Sequence, residues 1–209
     1  MTRYAMAVDV RRCQGCQTCA VSCKVNNNLP KGVWRNVIHT DGEAYPDTSR
    51  GEYPAALHKQ WIPVSCQHCA TPPCATVCPV DATSIRDDGI VVVDNEVCIG
   101  CGSCVSACPY GARTVNNDEL EYYTEHALGD YNAPVHLNNT VEKCDFCVHR
   151  LDEGEAPACM QHCPGNARLW GDIDDPNSDI SVFLSQVESE QLLPEEGTEP
   201  SCRYANLIS

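Results

Sequence analysis

The sequence predicts an α+β chain of two small domains, one nested within the other, with loop-rich insertions around them. Three observations predict it. First, sixteen of the seventeen cysteines in 209 residues fall into four groups that share the same opening and closing spacing, with a longer middle gap in groups two and four. The groups are Cys13, Cys16, Cys19, Cys23; Cys66, Cys69, Cys74, Cys78; Cys98, Cys101, Cys104, Cys108; and Cys144, Cys147, Cys159, Cys163. Each opens with C-x-x-C and closes with C-x-x-x-C. Second, short β-forming runs enter or leave these groups in a recurring order, the mark of an internal repeat. Third, groups two and three are close together, whereas groups one and four stand at the two ends. The end groups can form one domain only if the chain returns to its start, and the other domain is then nested inside it.

Taken in order, Tyr4 to Val10 is a β-forming run that leads directly into group one. Residues 24–65 are an insertion rich in Asn, Pro and Gly, with Trp34, Tyr45, Tyr53 and Trp61. Those aromatics fit local packing in a loop with little core, and the same stretch is the expected partner-facing surface. Ala82 to Ile85 follows group two as a strand. The turn signal Asp87-Asp88-Gly89 then introduces Ile90 to Asp94, which leads into group three as Tyr4 to Val10 leads into group one. Ala112-Arg113-Thr114-Val115 after group three echoes Ala167-Arg168-Leu169-Trp170 after group four. Residues 116–140 are a polar insertion with Tyr122, Tyr123 and Tyr131. Asp175-Pro176 predicts an N-cap and first-turn proline, followed by a short amphipathic helix carrying Ile180, Val182, Phe183 and Leu184. The expected boundaries are 1–23 with 141–190 for the outer domain, 66–115 for the inner domain, and 191–209 for an extended acidic tail.

The cysteine spacing has a chemical reason. Three cysteines, each three residues from the next, let a short loop curl around one cubane and reach three of its iron corners. A further x-x-x carries the chain away, so the fourth cysteine points to a neighbouring cluster, as in the bacterial ferredoxin run C-x-x-C-x-x-C-x-x-x-C-P. Pro79, Pro109 and Pro164 follow three of the fourth cysteines and fix φ where the chain leaves the loop. Four groups predict ligands for four [4Fe–4S] clusters and therefore a chain that relays electrons. Disulfides fit less well, because the cysteine total is odd and frameworks rarely repeat one spacing four times. Zinc also fits less well, because groups one and three compress four cysteines into eleven residues. A structural zinc-binding adaptor is the alternative of another class, and protein colour separates the two.

Other residues have plainer readings. Cys202 has no ligand spacing and reads as a free thiol. His68 and His162 lie beside ligand-spaced cysteines and can tune a cluster through hydrogen bonds; no cysteine is missing for either to replace. No nucleophile–base set, phosphate loop or Rossmann fingerprint is visible, so no catalytic residue is assigned.

Aromatics are 6% of the chain and phenylalanine only two residues, so a large ordinary core is not expected. Clusters would supply much of the folding free energy, and the apo-chain is expected to be largely unfolded. The net charge is −15. Four clusters with their thiolates would bring it to about −23. Such a surface repels phosphates, so nucleic acid is not an expected partner. The apolar runs are too short to span a membrane. Arg11-Arg12 precedes Cys13 with no apolar segment after it, so it is not read as an export signal. The expected location is cytoplasmic, or exported folded with a signal-bearing partner, with membrane association only through a partner.

Several segments together resemble a known family: VDVRRCQGCQTCAVSCK, SCQHCATPPCATVCPVDAT, DDGIVVVDNEVCIGCGSCVSACPYGAR and EKCDFCVHRLDEGEAPACMQHCPGNAR. The chain resembles the electron-transfer iron–sulfur (beta) subunits of the dimethyl sulfoxide reductase family of molybdopterin oxidoreductases. Dimethyl sulfoxide, polysulfide and arsenate reductases have such subunits. The resemblance covers roughly residues 3–190 and implies the following ligand sets. The outer pair would use Cys13, Cys16, Cys19 with Cys163, and Cys144, Cys147, Cys159 with Cys23. The inner pair would use Cys66, Cys69, Cys74 with Cys108, and Cys98, Cys101, Cys104 with Cys78. It also implies one-electron hopping between a large molybdenum- or tungsten-bis-pterin catalytic subunit and a redox partner. That partner would be a quinone-linked membrane anchor or a soluble carrier. Lys24 stands where three groups have proline, a position at which relatives vary. A ferredoxin-like subunit of a hydrogenase or formate-linked complex is the alternative.

Overall fold

The computed structural model describes residues 2–40 and 49–208; Tyr45 lies outside them. Strand β1 (Tyr4–Asp9) enters the first cysteine loop through a 3-10 turn (Val10–Arg12), and helix α1 (Thr18–Asn26) leaves it. Strands β2 (Asn36–Thr40) and β3 (Trp61–Ser65) pair antiparallel and deliver the chain to Cys66. Helix α2 (Pro73–Thr76) carries Cys74 and is followed by the antiparallel pair β4 (Thr83–Ile85) and β5 (Val91–Val93). Helix α3 (Ser103–Ser106) carries Cys104, and β6 (Thr114–Val115) pairs with β7 (Val141–Glu142). Helices α4 (Val148–Leu151) and α5 (Ala158–Gln161), strand β8 (Arg168–Asp172) and helix α6 (Asp179–Gln186) follow. Strands β9 (Ser189–Glu190) and β10 (Cys202–Ala205) complete an α+β architecture of small sheets and short helices.

The repeat read from sequence is physical. β4, β6 and β8 begin five or six residues after Cys78, Cys108 and Cys163. The 116–140 insertion is tied at its neck by the β6–β7 ladder and by Asn116, whose backbone N–H donates to Thr140 O at 2.7 Å.

The largest sheet has the order β8-β1-β10-β9. Its central strand, YAMAVD, is buried on both faces, and side chains alternate between them. Ala5 and Ala7 are small enough to admit α6, whose Ile180 packs against them with Leu169 and Phe183. Met6 and Val8 face the other way, into a core shared with Val10, Ile90, Phe146, Met160 and Tyr204. Cys19, Cys66, Cys144, Cys159 and Cys202 belong to the same cluster, so the loops of groups one, two and four are built into the core.

Two expectations are corrected. The C-terminal stretch, expected to be an extended acidic tail, instead enters the fold: β10 pairs in parallel with β1, Val8 against Tyr204, at the middle of the sheet. The segment before it straps the group-two loop, with Ala70 N donating to Glu199 O (2.9 Å) and Ser201 N to Gln67 O (3.0 Å). Acidic residues stay outside while Cys202, Tyr204 and Ala205 go in. The α6 cap is Ser178, not Asp175: Ser178 Oγ accepts from Ser181 N at 3.2 Å. Asp175 instead closes a turn by accepting from Asn177 N at 2.9 Å, which uses up its carboxylate three residues early. The aromatics divide: Lys24 Nζ lies 4.6 Å from the Trp34 ring and 5.3 Å from the Tyr123 ring, whereas Tyr53 and Tyr131 are open to solvent.

Candidate metal centres

The four loops share a backbone solution. Gly15 (φ 62°) and Gly100 (φ 65°) sit inside the first C-x-x-C of groups one and three, and Gln17 (φ 64°) and Gly102 (φ 75°) precede the short helices. In groups two and four the left-handed residues are His68 (φ 44°), and Phe146 (φ 64°) with Cys147 (φ 53°). These turns curl the chain so that sulfurs and backbone N–H groups face the same interior. A Cβ on Gly15 would lie 2.3 Å from the Trp61 ring, and one on Gly100 would lie 2.0 Å from Asn139 O. The inward N–H groups reach sulfur: Phe146 N donates to Cys144 Sγ at 3.4 Å and Ala167 N to Cys163 Sγ at 3.3 Å. Val80, Ala82 and Thr83 do the same for Cys78.

The fourth cysteine of each group stands with another group. Cys163 joins Cys13, Cys16 and Cys19 around a hollow of about 370 Å³, part of it open to solvent. Cys108 joins Cys66, Cys69 and Cys74 around a second hollow of about 330 Å³, again partly open to solvent. Cys23 lies within electrostatic range of Cys147, Cys144 and Cys159. Cys78 lies within the same range of Cys101, and Cys98 and Cys104 pack in one cluster with Cys74 and Val141. Among the described residues, no three His, Cys, Asp or Glu side chains converge on a single ion-sized point.

The electrostatics require compensating positive charge. Burial pushes the thiols of Cys144 and Cys147 up to about 12, and those of Cys69 and Cys159 up to about 11. Thiolates at these depths need a metal's charge. Cys16 and Cys101 are exposed, and hydrogen bonds from Thr18 and Ser103 hold their thiols below the usual value. Buried cations stand near the deep sulfurs: Arg168 in the first hollow and Arg113 in the second. Near Cys23, Arg35 binds Glu142 (2.8 Å) and Asp145 (3.0 Å) and donates to Asn27 Oδ1 (3.1 Å). Asn27 Nδ2 in turn approaches Cys23 Sγ (3.7 Å) and Cys147 Sγ (3.8 Å).

His68 is buried, and its Nδ1 accepts from Val91 N at 3.1 Å. Burial, with Lys143 and Arg113 nearby, pushes its pKa well down, so the ring is neutral. His162 is exposed. Cys202 is a buried free thiol whose Sγ lies 3.8 Å from Cys66 O. Burial pushes its pKa well up, the mark of an inert structural cysteine. Four thiols, inward N–H donors and a hollow between them are what a cubane needs, and these residues fit one.

Residues 57–125 and 128–173 match the 4Fe-4S dicluster domain family. A Halobacterium salinarum protein named as a dimethyl sulfoxide reductase iron-sulfur subunit is 44% identical, covering 99% of this chain and 80% of the relative. The chain belongs to the electron-transfer iron–sulfur subunits of the dimethyl sulfoxide reductase family of molybdopterin oxidoreductases. It carries [4Fe–4S] clusters and transfers electrons. A tetrathionate reductase subunit of Salmonella typhimurium is 44% identical, over 98% of this chain and 73% of the relative. The iron-sulfur subunit of a Shewanella arsenate respiratory reductase is 34% identical, over 97% of this chain and 95% of the relative. These relatives do not favour a hydrogenase or formate-linked assembly.

Spacing alone does not reveal the buried partners of the sulfurs. The echo of Ala112-Arg113 in Ala167-Arg168 is legible as a repeat of strands, and it also carries two guanidiniums to the same place in each copy.

Proposed function

We propose that the chain holds four [4Fe–4S] clusters in two nested pairs and relays single electrons through them. The outer pair is held by Cys13, Cys16, Cys19 and Cys163, and by Cys144, Cys147, Cys159 and Cys23. The inner pair is held by Cys66, Cys69, Cys74 and Cys108, and by Cys98, Cys101, Cys104 and Cys78. The observation that carries this reading is the crossing of the fourth cysteines, above all Cys163 beside Cys13, Cys16 and Cys19. Residues 1–23 and 141–190 then form the outer ferredoxin-like domain, closed by β10, and 66–115 form the inner one.

The clusters supply one-electron storage at each step. The chain keeps the thiolates in place, offers backbone N–H groups to sulfur, and walls the deep cysteines from water. Cys16 and Cys101, exposed in groups one and three, support electron exchange with partners at two ends of the relay. One partner is a catalytic subunit with a molybdenum or tungsten bis-pterin, facing the outer domain and the 24–65 insertion. The other is a quinone-linked membrane subunit or a soluble carrier. Among the described residues no helix is long and apolar enough to cross a membrane. Membrane association in this reading is through the partner.

Paramagnetic resonance on cysteine variants tests the pairing. Cys13→Ser and Cys163→Ser should each lose or convert the same cluster signal, and Cys23→Ser and Cys144→Ser should share a different one. Separate signals lost in Cys13→Ser and Cys163→Ser would refute the nesting.

A further inference from the structure

Arg113 and Arg168 occupy one position in the repeat, five residues after Cys108 and Cys163. Both are buried, at 4% and 6% exposure. Each lines one cysteine hollow: Arg113 that of Cys66, Cys69, Cys74 and Cys108, and Arg168 that of Cys13, Cys16, Cys19 and Cys163. Each also reaches the neighbouring set. Arg113 stands against the side chain of Cys104 and acts on Cys74 and Cys66; Arg168 acts on Cys159 and Cys19.

Their remaining contacts anchor them. Arg113 Nη1 donates to Thr83 Oγ1 at 3.1 Å, and Thr83 is the residue five after Cys78. Arg168 Nη1 donates to Asn36 Oδ1 at 3.3 Å, and Nη2 approaches Met6 Sδ at 3.8 Å. Among the described residues, no carboxylate lies within salt-bridge distance of either guanidinium. Arg113 Nη2 and Arg168 Nε are buried N–H donors that meet no acceptor in the protein. A buried charged donor without an acceptor is costly. With a cluster bound in the adjoining hollow, a sulfide or ligand thiolate would be able to supply the missing acceptor.

We propose that Arg113 and Arg168 are electrostatic bridges, each holding one positive charge between the two clusters of its pair and raising both potentials together. This rests on the ligand sets proposed above. A fixed cation favours the more negative, reduced state of any cluster near it, and at low dielectric it acts on two neighbours at once. Both are positioning residues; neither is a ligand.

The test is a redox titration of the purified holoprotein, read by paramagnetic resonance, on Arg113→Met, Arg168→Met and the lysine variants. Arg113→Met should shift two of the four midpoint potentials downward and leave the other two. Arg168→Met should shift the complementary two. Arg113→Lys and Arg168→Lys keep the charge and should recover most of each shift. Full iron content with unmoved potentials, or a shift confined to one cluster, overturns the bridge and leaves the ligand sets standing. If a methionine variant loses iron, the same titration on Arg113→Gln or Arg168→Gln decides by the same criterion. A wild-type chain with other than about sixteen irons would instead overturn the ligand sets.

Discussion

His68 and Phe146 meet edge to face, with ring centroids 5.4 Å apart and planes at 67°. Each is the third residue of its C-x-x-C, each has positive φ, and each is 1% exposed. The loops of groups two and four, distant in sequence, are therefore packed directly against one another. Phe146 continues the contact through Tyr4 (5.8 Å) to Trp170 (5.9 Å from Tyr4), which ties both loops to β1 and β8. Among the described residues this aromatic chain crosses a core whose other buried members are aliphatic residues, methionine, cysteine and Tyr204.

Replacing Phe146 with alanine removes the centre of that chain. The expected loss is about 3–5 kcal/mol. Anaerobic denaturant titration, followed by visible cluster absorbance, measures it. A loss under about 1 kcal/mol would show that the contact does not hold the loops together.

Cys202→Ala should leave iron content unchanged, because its sulfur lies in β10 against Cys66 O and outside the two cysteine-lined hollows. A small loss of thermal stability is expected from the vacated volume. Loss of about four irons in this variant would make Cys202 a ligand and break the set of sixteen.

Gly15→Ala drives a methyl group into the Trp61 ring at a left-handed turn. Trp61 must shift, and the first cysteine loop with it. The expected outcome is partial loss of one cluster and a changed tryptophan fluorescence. Gly15→Ala with Trp61→Ala should recover part of the lost iron, because the clash is gone and only the backbone strain remains. Equal iron loss in the single and double variants would show that Trp61 plays no part.

Much of the fold and the site is legible in the sequence because cluster chemistry restricts spacing so tightly. The four cysteine runs and the strands after Cys78, Cys108 and Cys163 can be read as copies of one unit. What cannot be read depends on contacts between distant residues. Cys202-Arg203-Tyr204-Ala205 is too short for an alternation to show, and its burial follows from pairing with β1 at the other end of the chain. Ser178 caps α6 because Asp175 is already engaged in a turn, a competition that letters alone do not rank. Arg35, joined to Glu142 and Asp145, has nothing in its local sequence to mark it as buried; β7 and the group-four loop close over it.

Stripping the iron should unfold most of the chain. Cysteine loops contribute much of the main core, and without a metal's charge the buried thiols lose the partner that keeps them ionised. Circular dichroism before and after anaerobic chelation should show loss of most ordered signal. A native-like spectrum after complete removal would mean that the strands and α6 fold on their own.

A four-cluster relay serving a pterin-bearing catalytic subunit is tested most directly by anaerobic purification from the native host, with metal analysis and mass spectrometry of whatever co-purifies. Such a relay predicts about sixteen irons per chain and a large companion subunit with molybdenum or tungsten. Zinc in place of iron, or about eight irons with no large companion, would contradict it.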